Sequence, residues 1–376
     1  MKKIVILGST GEIGSRALEV VDAFPDELKV VGLSSHRGGE KFDQQVAKYR
    51  PQQAVISSQN PGGLIKLATL AAADLIVVSV VGTAGLAPTI AAIEAKKNVA
   101  LATKEVLVIA GELVFNLAKK NRVEIIPIDS EHSALSQSLR SGNEKEIKNI
   151  YLTMGSGDIA RLTPEQMSQL SPTQVTQVNQ WQMGQKITVD SATCVNKLFE
   201  AIEAARFFNL SASQIKIVVH PEYICHSLVE FVDGSLIGEF GTAQMSRYLQ
   251  YALLHPKRLA AVNDSYLDLM NKQLSFLAPN TAKFPILNLL PSLLTKTENG
   301  AIFHGADRLA VEMFLQEKIK FTDIYTVIKK TLETLKTSKK PKTLNDYLEI
   351  EEQAYQKAKK LAESNYVQKS KNFCCN

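Results

Sequence analysis

The fold is decided near the start of the chain by the stretch Ile4-Val5-Ile6-Leu7-Gly8-Ser9-Thr10-Gly11-Glu12-Ile13-Gly14. An apolar strand runs directly into three glycines, and a helical pattern follows at Ser15–Phe24. Glycines let a backbone approach a pyrophosphate closely, and the N-terminus of the helix offers N–H groups and a favourable dipole to the anion. The motif therefore predicts a dinucleotide site if a parallel sheet follows, and a plain tight turn if none does.

The next residues meet that condition, because short apolar runs alternate with helical stretches such as Thr89–Ala95. The runs are Val30–Leu33, Ala54–Ile56, Leu75–Val81, Val99–Leu101 and Val123–Ile128. Continuous apolar strands separated by helices indicate a parallel sheet covered on both faces. Residues 1–128 are thus predicted to form a Rossmann-like NADP-binding domain of an α/β protein.

Three further segments complete the predicted organisation, since 376 residues exceed one typical core. Residues 129–254 are predicted to be a central α+β catalytic and metal-binding domain. Its predicted elements are the strands Lys148–Thr153, Ile215–Val219 and Leu236–Phe240 and one long helix, Ala192–Phe208. Residues 255–287 are predicted to be a linker. Residues 288–376 form the predicted C-terminal helical domain, with its clearest helices at Ala306–Gln316 and Ile350–Glu363.

Composition excludes several classes of protein. The net charge of +5 is mild, and the basic residues form no aromatic-interleaved stripe, so we expect no nucleic-acid partner. The apolar runs have strand length, which predicts neither a signal peptide nor a membrane span. The four cysteines show no metal or disulfide spacing, so we expect a cytoplasmic protein.

The end of the second strand discriminates between nicotinamide cofactors. The chain reads Ser34-Ser35-His36-Arg37-Gly38 there and offers no acidic residue for ribose hydroxyls. An arginine with hydroxyls suits a 2′-phosphate, which favours NADP over NAD, although Arg37 also fits a solvated surface residue. Two later strand ends reach the same crevice, at Val81–Gly85 and at Ala102-Thr103-Lys104-Glu105. Lys104 and Glu105 are interpreted as substrate or nicotinamide contacts, the alternative being a solvated ion pair.

A metal site is predicted from three carboxylates, those of Asp129, Glu131 and Glu200. Three hard oxygen ligands with Ser, Asn and Lys nearby are typical of a divalent metal that also grips a polyol phosphate. Each carboxylate has an ordinary alternative. Asp129 suits an N-cap, and Glu200 suits the polar face of an amphipathic helix. Asn196 and Glu200 are predicted to share a helix face, with Lys197 adjacent.

The phosphate side of the predicted site is less well defined. Gly155-Ser156-Gly157 ends a strand and offers hydroxyl and backbone donors to a phosphate. Trp181, the only tryptophan, lies in the polar stretch 177–184, which fits either a lid that excludes water or a buried anchor for a loop. His132, His220 and His226 fit packed, hydrogen-bonded histidines as well as they fit residues of the site.

These motifs together resemble one family, 1-deoxy-D-xylulose-5-phosphate reductoisomerase, along most of the chain. The matching signatures are Leu7–Gly11 with Ile13-Gly14, Val81–Leu86, Lys104-Glu105, Asp129-Ser130-Glu131-His132, Trp181-Gln182-Met183-Gly184, Ser191-Ala192-Thr193 with Asn196-Lys197 and Glu200, and His220-Pro221 leading to His226-Ser227. Any single signature is weak, but their ordered series is specific.

The resemblance implies an NADPH-dependent enzyme that uses Mg²⁺ or Mn²⁺, commonly as a homodimer. Its reaction converts 1-deoxy-D-xylulose 5-phosphate into 2-C-methyl-D-erythritol 4-phosphate for isoprenoid biosynthesis. The implied catalytic residues are Lys104, Glu131, Lys197 and His226, and the implied metal ligands are Asp129, Glu131 and Glu200. The implied substrate contacts are Lys104, Ser130, Glu131, Ser156, Ser191, Asn196, Lys197 and Glu200. The implied cofactor contacts are Thr10, Gly11, Glu12, Ile13, His36, Arg37, Gly38, Thr103, Glu105 and Gly184.

The chain departs from the family pattern at four places. Val178 replaces a lid histidine, and Gly155-Ser156-Gly157-Asp158-Ile159-Ala160 replaces Gly-Ser-Gly-Gly-Pro-Phe. Thr103 replaces an asparagine, and His304-Gly305-Ala306-Asp307-Arg308 replaces Asn-Ala-Ala-Asn-Glu. The lost donor and the added carboxylate predict weaker phosphate binding, by about 1–3 kcal/mol.

Two alternatives to a working reductoisomerase stay open at the level of sequence. One is a related NADPH-dependent enzyme acting on another sugar phosphate, which Val178 and Asp158 favour. The other is a paralogue that binds ligand without catalysis. Retention of all three carboxylates counts against the paralogue, because converging like charges repel one another when no metal is bound.

Overall fold

The computed structural model describes residues 1–177, 184–262, 266–337 and 339–373, with side chains described up to residue 364. The chain divides into two compact units that interleave along the sequence. The first unit comprises 1–106, 112–153 and 222–276, and the second comprises 107–111, 154–221 and 277–376. None of the helices in the described ranges is long and apolar enough to cross a membrane.

The first part of the chain alternates strand and helix, as predicted. Its strands are β1 (Lys2–Leu7), β2 (Leu28–Ser35), β3 (Gln53–Ile56), β4 (Leu75–Val78), β5 (Asn98–Leu101) and β6 (Ile125–Pro127). Its helices are α1 (Glu12–Ala23), α2 (Glu40–Tyr49), α3 (Gly63–Ala68), α4 (Leu86–Glu94), α5 (Glu105–Asn121) and α6 (Ser130–Ser138). The strands form one parallel sheet in the order β3-β2-β1-β4-β5-β6, which confirms the predicted Rossmann-like α/β fold.

The remaining elements are mostly helical. They are β7 (Ile147–Met154), α7 (Pro164–Ser168), α8 (Pro172–Gln177), α9 (Gln185–Thr193), α10 (Val195–Phe207), β8 (Ile215–Val219), β9 (Cys225–Phe231), β10 (Leu236–Phe240), α11 (Met245–Leu254), α12 (Leu290–Leu293), α13 (Asn299–Leu315), α14 (Asp323–Thr334) and α15 (Leu344–Phe373). The predicted C-terminal helices are therefore present, and each is longer than its apolar pattern indicated.

The core of the first unit joins the parallel sheet to α1 and α11. Ile4 and Ile6 of β1 are fully buried in one cluster with Leu249 and Leu253 of α11. The Lys2 ammonium donates to the carbonyls of Leu253, at 2.8 Å, and of His255. Those carbonyls lie at the C-terminal end of α11, where a cation interacts favourably with the helix dipole. Residues far apart in sequence therefore share one core.

Strand β9 lies in the same unit and pairs antiparallel with β7 on one side and with β10 on the other. The sequence analysis missed β9. Its pattern, Cys225-His226-Ser227-Leu228-Val229-Glu230-Phe231, places polar and apolar residues among buried positions, so strict alternation is absent. Its centre is buried because α6 packs against β9 and β10. Tertiary packing overrides the weak local signal here.

Two predicted boundaries were wrong. The predicted strand Leu75–Val81 ends at Val78, and a 3₁₀ turn at Gly82–Gly85 follows it. The single predicted helix Ala192–Phe208 is interrupted at Cys194, which has the left-handed values φ 65° and ψ 9°. Ser191 therefore lies inside α9 rather than just before a helix.

Candidate active site

The glycine-rich loop between β1 and α1 is shaped by close backbone approach. Gly8 has φ +90°, and a Cβ at this position would lie 2.7 Å from Ser79 O. A Cβ on Gly14 would collide with the carbonyl oxygen of Gly8. Gly11 is the N-cap of α1, and no described side chain caps this helix end. Its first N–H groups are thus available to an anion, as the dinucleotide prediction requires.

Side chains from α2 hold this loop in place. Ser9 Oγ donates to Gln45 Oε1 at 2.7 Å, and Gln45 Nε2 donates back to Ser9 O at 3.0 Å. Lys41 Nζ donates to Thr10 O at 2.9 Å, and Thr10 Oγ1 lies 3.0 Å from Ser35 Oγ. The sequence analysis did not find Gln45 or Lys41. The one available signal was a glutamine on the buried face of an amphipathic helix.

The loop after β2 presents the predicted 2′-phosphate contacts to solvent. His36 and Arg37 are exposed, and His36 Nδ1 lies 3.2 Å from Ser57 Oγ. Arg37 forms no ion pair with a described residue, so its guanidinium has no competing carboxylate. The donor set therefore fits a phosphorylated nucleotide on chemical grounds.

The carboxyl ends of β5 and β6 bring Lys104 and Asp129 together, because the two strands are neighbours in the sheet. Lys104 Nζ lies 2.9 Å from Asp129 Oδ2. Asp129 is also the N-cap of α6, where its Oδ1 accepts from Ser130 N at 2.9 Å. The capping alternative is therefore real, but it uses only one oxygen. The Oδ2 faces the Lys104 ammonium instead, and the carboxylate keeps further lone pairs for a metal cation.

Glu131 follows on the first turn of α6 and is half-buried. Ser130 Oγ donates to Glu131 Oε2. Carboxylate oxygens of Asp129 and Glu131 lie within 4.8 Å of one another. Two hard oxygen donors at this separation fit a shared Mg²⁺ or Mn²⁺, whose carboxylate ligands are drawn together by the ion.

A polar cluster surrounds His226 in the same unit. His226 Nε2 lies 3.1 Å from Gly241 O, and the ring meets the Tyr248 ring edge-on at 5.4 Å. Burial lowers the pKa of His226, although the nearby Glu239 carboxylate opposes that effect. Arg247 pairs with Glu239. The imidazole is thus kept neutral at pH 7, as a hydrogen-bonding group rather than a cation.

The second unit carries its own group of predicted residues on α10. Glu200 and Lys197 are buried, at 3% and 6% exposure, and form an ion pair. Asn196 Nδ2 donates to Glu200 Oε1 at 2.5 Å, which confirms that the two residues share one helix face. One carboxylate is therefore oriented by an amide and an ammonium on successive positions of a single helix.

The predicted phosphate contacts occupy different environments. Ser156 is half-buried after β7, and Ser191 is exposed on α9. Asp158, the departure beside Ser156, has a side chain 72% exposed that lies 3.9 Å from Arg161. Solvent and Arg161 both screen this carboxylate, so we expect a smaller penalty on phosphate binding than the sequence alone indicated. Val178 and Trp181, with the rest of the predicted lid from 178 to 183, lie outside the described residues.

Comparison with known proteins shows what the whole chain is similar to. Three family models match the chain. The model for 1-deoxy-D-xylulose 5-phosphate reductoisomerase matches residues 4–62 and 58–111, and two models for C-terminal domains of the same enzyme match 125–208 and 240–357. The reductoisomerase of Geobacter metallireducens is 41% identical over 354 residues, covering 89% of this chain and 92% of its own. The chain belongs to the 1-deoxy-D-xylulose 5-phosphate reductoisomerase family.

Solved structures of the family have the same fold. A DOX-P reductoisomerase in complex with magnesium is 32% identical with a TM-score of 0.89, covering 97% of this chain and 99% of its own. Another, in complex with NADPH, fosmidomycin and magnesium, is 33% identical with a TM-score of 0.87, covering 96% and 98%. The fold predicted from the reductoisomerase resemblance is therefore confirmed.

Three predicted cofactor residues have defined roles in the fold. The Thr103 hydroxyl donates to Val80 O at 2.6 Å and so shapes the turn after β4. Glu105 is half-buried at the start of α5, and Gly184 is the exposed N-cap of α9. Their direct contact with the nicotinamide nucleotide stays a prediction.

Proposed function

We propose that this chain catalyses the NADPH- and divalent-metal-dependent conversion of 1-deoxy-D-xylulose 5-phosphate into 2-C-methyl-D-erythritol 4-phosphate, in isoprenoid precursor biosynthesis. Membership of the reductoisomerase family supports the reaction. The observation that carries the proposal is the Lys104–Asp129–Glu131 group, which lies at the carboxyl edge of the sheet that also holds the glycine-rich loop. Open parallel sheets bind their ligands at that edge.

The proposed metal ligands are Asp129, Glu131 and Glu200. Their support is chemical: each is a half-buried or buried carboxylate already oriented by a neighbouring side chain. When bound, Mg²⁺ or Mn²⁺ polarises the ketone and draws the adjacent hydroxyl oxygens into place, and NADPH supplies the hydride. One NADPH and one proton are consumed for each substrate rearranged and reduced.

The chain's own residues orient the substrate and balance its charge. We propose that Lys104 and Lys197, each ion-paired with a carboxylate, supply positive charge where the substrate oxygens become more negative. Ser156, Ser191 and Asn196 are proposed to donate hydrogen bonds to the substrate. A buried, neutral His226 is proposed to hold the substrate side of the site in position without adding charge.

The cofactor is proposed to bind along the loop from Thr10 to Ile13, with its 2′-phosphate against the His36-Arg37-Gly38 loop. Arg37 is exposed without a carboxylate partner among the described residues, which supports this assignment. Thr103, Glu105 and Gly184 are proposed to complete the nicotinamide side. The segments 1–128, 129–254, 255–287 and 288–376 are proposed as cofactor-binding, catalytic, connecting and helical parts respectively.

One assay tests the proposal. Purified protein, Mn²⁺, NADPH and 1-deoxy-D-xylulose 5-phosphate are mixed, and absorbance of the reduced cofactor is followed. We expect oxidation that needs both substrate and metal, and that Glu131→Gln abolishes. Glu146→Gln, on an exposed carboxylate of the same unit, is the matched control and should retain activity. Intact NADPH binding without oxidation would instead support another sugar phosphate as substrate or a non-catalytic role.

We further propose that the protein is a cytoplasmic homodimer. β10 is a terminal strand of its sheet, and it carries Leu236 and Phe240, which are 55% and 38% exposed. Val232, just before β10, is 66% exposed. An exposed apolar edge strand favours pairing with a second copy. Leu236→Lys should reduce the mass measured by light scattering from dimer to monomer; an unchanged mass would count against this surface.

The proposed cytoplasmic location is supported by Cys194 and Cys225, which are free and buried, as expected in a reducing compartment.

A further inference from the structure

A cluster of one lysine and two buried aspartates connects three helices of the second unit. Lys186 of α9 donates to Asp190 Oδ2 on the same helix and to Asp307 Oδ2 on α13, both at 2.6 Å. Its ammonium also lies 5.1 Å from the centre of the Phe199 ring on α10. One side chain thus contacts α9, α10 and α13. We call Lys186, Asp190 and Asp307 the lysine clamp.

The lysine clamp buries two carboxylates, which is costly, so the clamp is a poor source of net stability. The side chains of Asp190 and Asp307 are 4% and 0% exposed, whereas that of Lys186 is 32% exposed. Two carboxylates share one ammonium, and Asp307 Oδ1 accepts no hydrogen bond from any described residue. Burial opposes the charge on Lys186, but Asp307 and Asp190 outweigh it and raise its pKa above the ordinary value. Buried ion pairs of this kind contribute little net stability and serve conformational specificity in some proteins.

The clamp lies between the helices that carry the proposed substrate contacts. Ser191 follows Asp190 directly on α9, and Asn196, Lys197 and Glu200 lie on α10 beside Phe199. The two helices are joined only by Cys194, whose left-handed backbone sets the angle between them. Phe199 packs edge-on against Phe303 of α13, with ring centroids 5.2 Å apart. Fixing α9 and α10 onto α13 therefore fixes the relative positions of these four residues.

We propose that Lys186, held by Asp190 and Asp307, is the positioning residue that sets α9 and α10 in register for substrate binding. Asp307 is one of the places where the chain departs from the family pattern, which has asparagine. Either residue offers an oxygen to Lys186, so the acceptor matters more than the charge. The proposal rests on the proposed function, because its main measurement is the KM for 1-deoxy-D-xylulose 5-phosphate.

The same helix provides a matched control. Arg308, the residue after Asp307, points to α15 instead and pairs with Glu351 at 3.0 Å and Glu352 at 3.0 Å. Arg308→Met therefore perturbs α13 without removing a partner of Lys186. We expect it to lower the melting temperature and leave the substrate KM unchanged.

The experiment compares Lys186→Met, Lys186→Arg, Asp307→Asn and Asp307→Leu with the wild-type enzyme. A misplacement of about 1 Å can lower the rate of an enzyme by about 100-fold. We therefore expect Lys186→Met and Asp307→Leu, which shift the substrate contacts, to raise the substrate KM at least about tenfold. NADPH affinity, measured by fluorescence titration, should change much less than the substrate KM, because every proposed cofactor contact except Gly184 lies in the first unit. Lys186→Arg keeps a donor and Asp307→Asn keeps an acceptor, so both variants should have a substrate KM close to that of the wild-type enzyme.

A neutral triple variant guards against misfolding. Lys186→Met leaves two buried carboxylates without a cation, so the combination of Lys186→Met, Asp190→Asn and Asp307→Asn removes the clamp without stranding a charge. It should fold and still show the raised KM. A wild-type KM in this variant or in Asp307→Leu would overturn the proposal. Absence of turnover in the wild-type enzyme would contradict the proposed function instead, so the two failures are distinguishable.

Discussion

At the scale of single residues, Asp129 shows how one side chain serves structure and chemistry together. Its Oδ1 caps α6, while its Oδ2 faces Lys104. Sequence reasoning had treated the cap and the metal ligand as alternatives. The structure makes them compatible, because a carboxylate has two oxygens and an N-cap needs only one.

Replacing Asp129 by serine should separate these two roles. Serine is as good an N-cap as aspartate, and both variants lose the ion pair with Lys104, so the free energy of unfolding should be about 1 kcal/mol lower for Asp129→Ala than for Asp129→Ser. Both variants lose the proposed metal ligand and should lose metal-dependent activity. Denaturant unfolding without metal, paired with the Mn²⁺ dependence of turnover, measures the two effects. An active Asp129→Ser enzyme with wild-type metal dependence would rule out ligation.

Arg37 is the residue on which cofactor choice is predicted to depend. A charged hydrogen bond contributes about 1.5–3 kcal/mol, so Arg37→Ala should weaken NADPH binding roughly tenfold or more and hardly change NADH. Titration of both nucleotides by fluorescence measures this. Arg140→Ala, at another exposed arginine of the same unit, is the control. Equal losses for both nucleotides would exclude contact with the 2′-phosphate.

At the scale of elements, one of the four departures from the family pattern, residues 304–308, lies on α13 where it contacts α15. His304 Nδ1 lies 2.8 Å from Glu351 Oε1 of α15, and Arg308 pairs with the same carboxylate. Gly305 lies between them, and a Cβ there would collide with Glu351 O. The changed residues therefore form a consistent contact between α13 and α15 rather than a defect.

This contact predicts a pH-dependent stability. Burial alone would raise the pKa of Glu351, but His304 and Arg308 outweigh burial and lower it. Because the pKa of Glu351 is lowered in the folded state, its ionised carboxylate stabilises the fold above the ordinary pKa of 4.5. That stabilisation is lost as the pH falls through the lower pKa of the folded state. Glu351→Gln should thus lower the melting temperature at pH 7, and its difference from wild type should shrink below pH 4.5. Calorimetry at pH 7 and pH 4 tests this.

The control for that series is Glu352→Gln. Glu352 pairs with the same arginine but is 54% exposed, so solvent screens its charge and we expect little change at either pH. A gap between Glu351→Gln and wild type that is equally wide at pH 4 and pH 7 would contradict the pKa argument.

At the scale of the whole molecule, the proposed cofactor loop and its supporting side chains belong to one compact unit. NADPH should therefore stabilise the protein without metal or substrate. At 100 times its dissociation constant, a ligand adds about 2.7 kcal/mol to the free energy of unfolding. Thermal melts with NADPH and with NADH at equal concentration test this, and the NADPH shift should be the larger. Identical shifts would contradict the preference for NADP.

Much of this organisation follows from local patterns. The parallel strands and the glycine-rich loop follow from apolar runs and from the need for small residues where backbones meet. The helix-face pairing of Asn196 with Glu200 follows from the helical repeat. Such features depend on residues only a few positions apart, and the local sequence therefore predicts them.

Other features were invisible because they depend on distant parts of the chain. β9 is a strand because α6 covers it, and Cys194 breaks a helix although cysteine carries no breaking signal. Gln45 holds the glycine-rich loop from a position 36 residues away in sequence, and Asp307 contacts Lys186 from 121 residues away. The spacing of residues along the sequence does not predict which distant residues come into contact.

The sequence by itself determined the family, the α/β class, the alternation of strands and helices in the first part of the chain, and the identity of the carboxylates predicted to bind metal. Only the tertiary structure decided which groups orient those carboxylates, where the long helix divides, and how Asp307 and Arg308 are neutralised. The physical reason is range. Propensity and periodicity act within a helical turn or a strand, whereas burial and ion pairing depend on which segments the fold brings together.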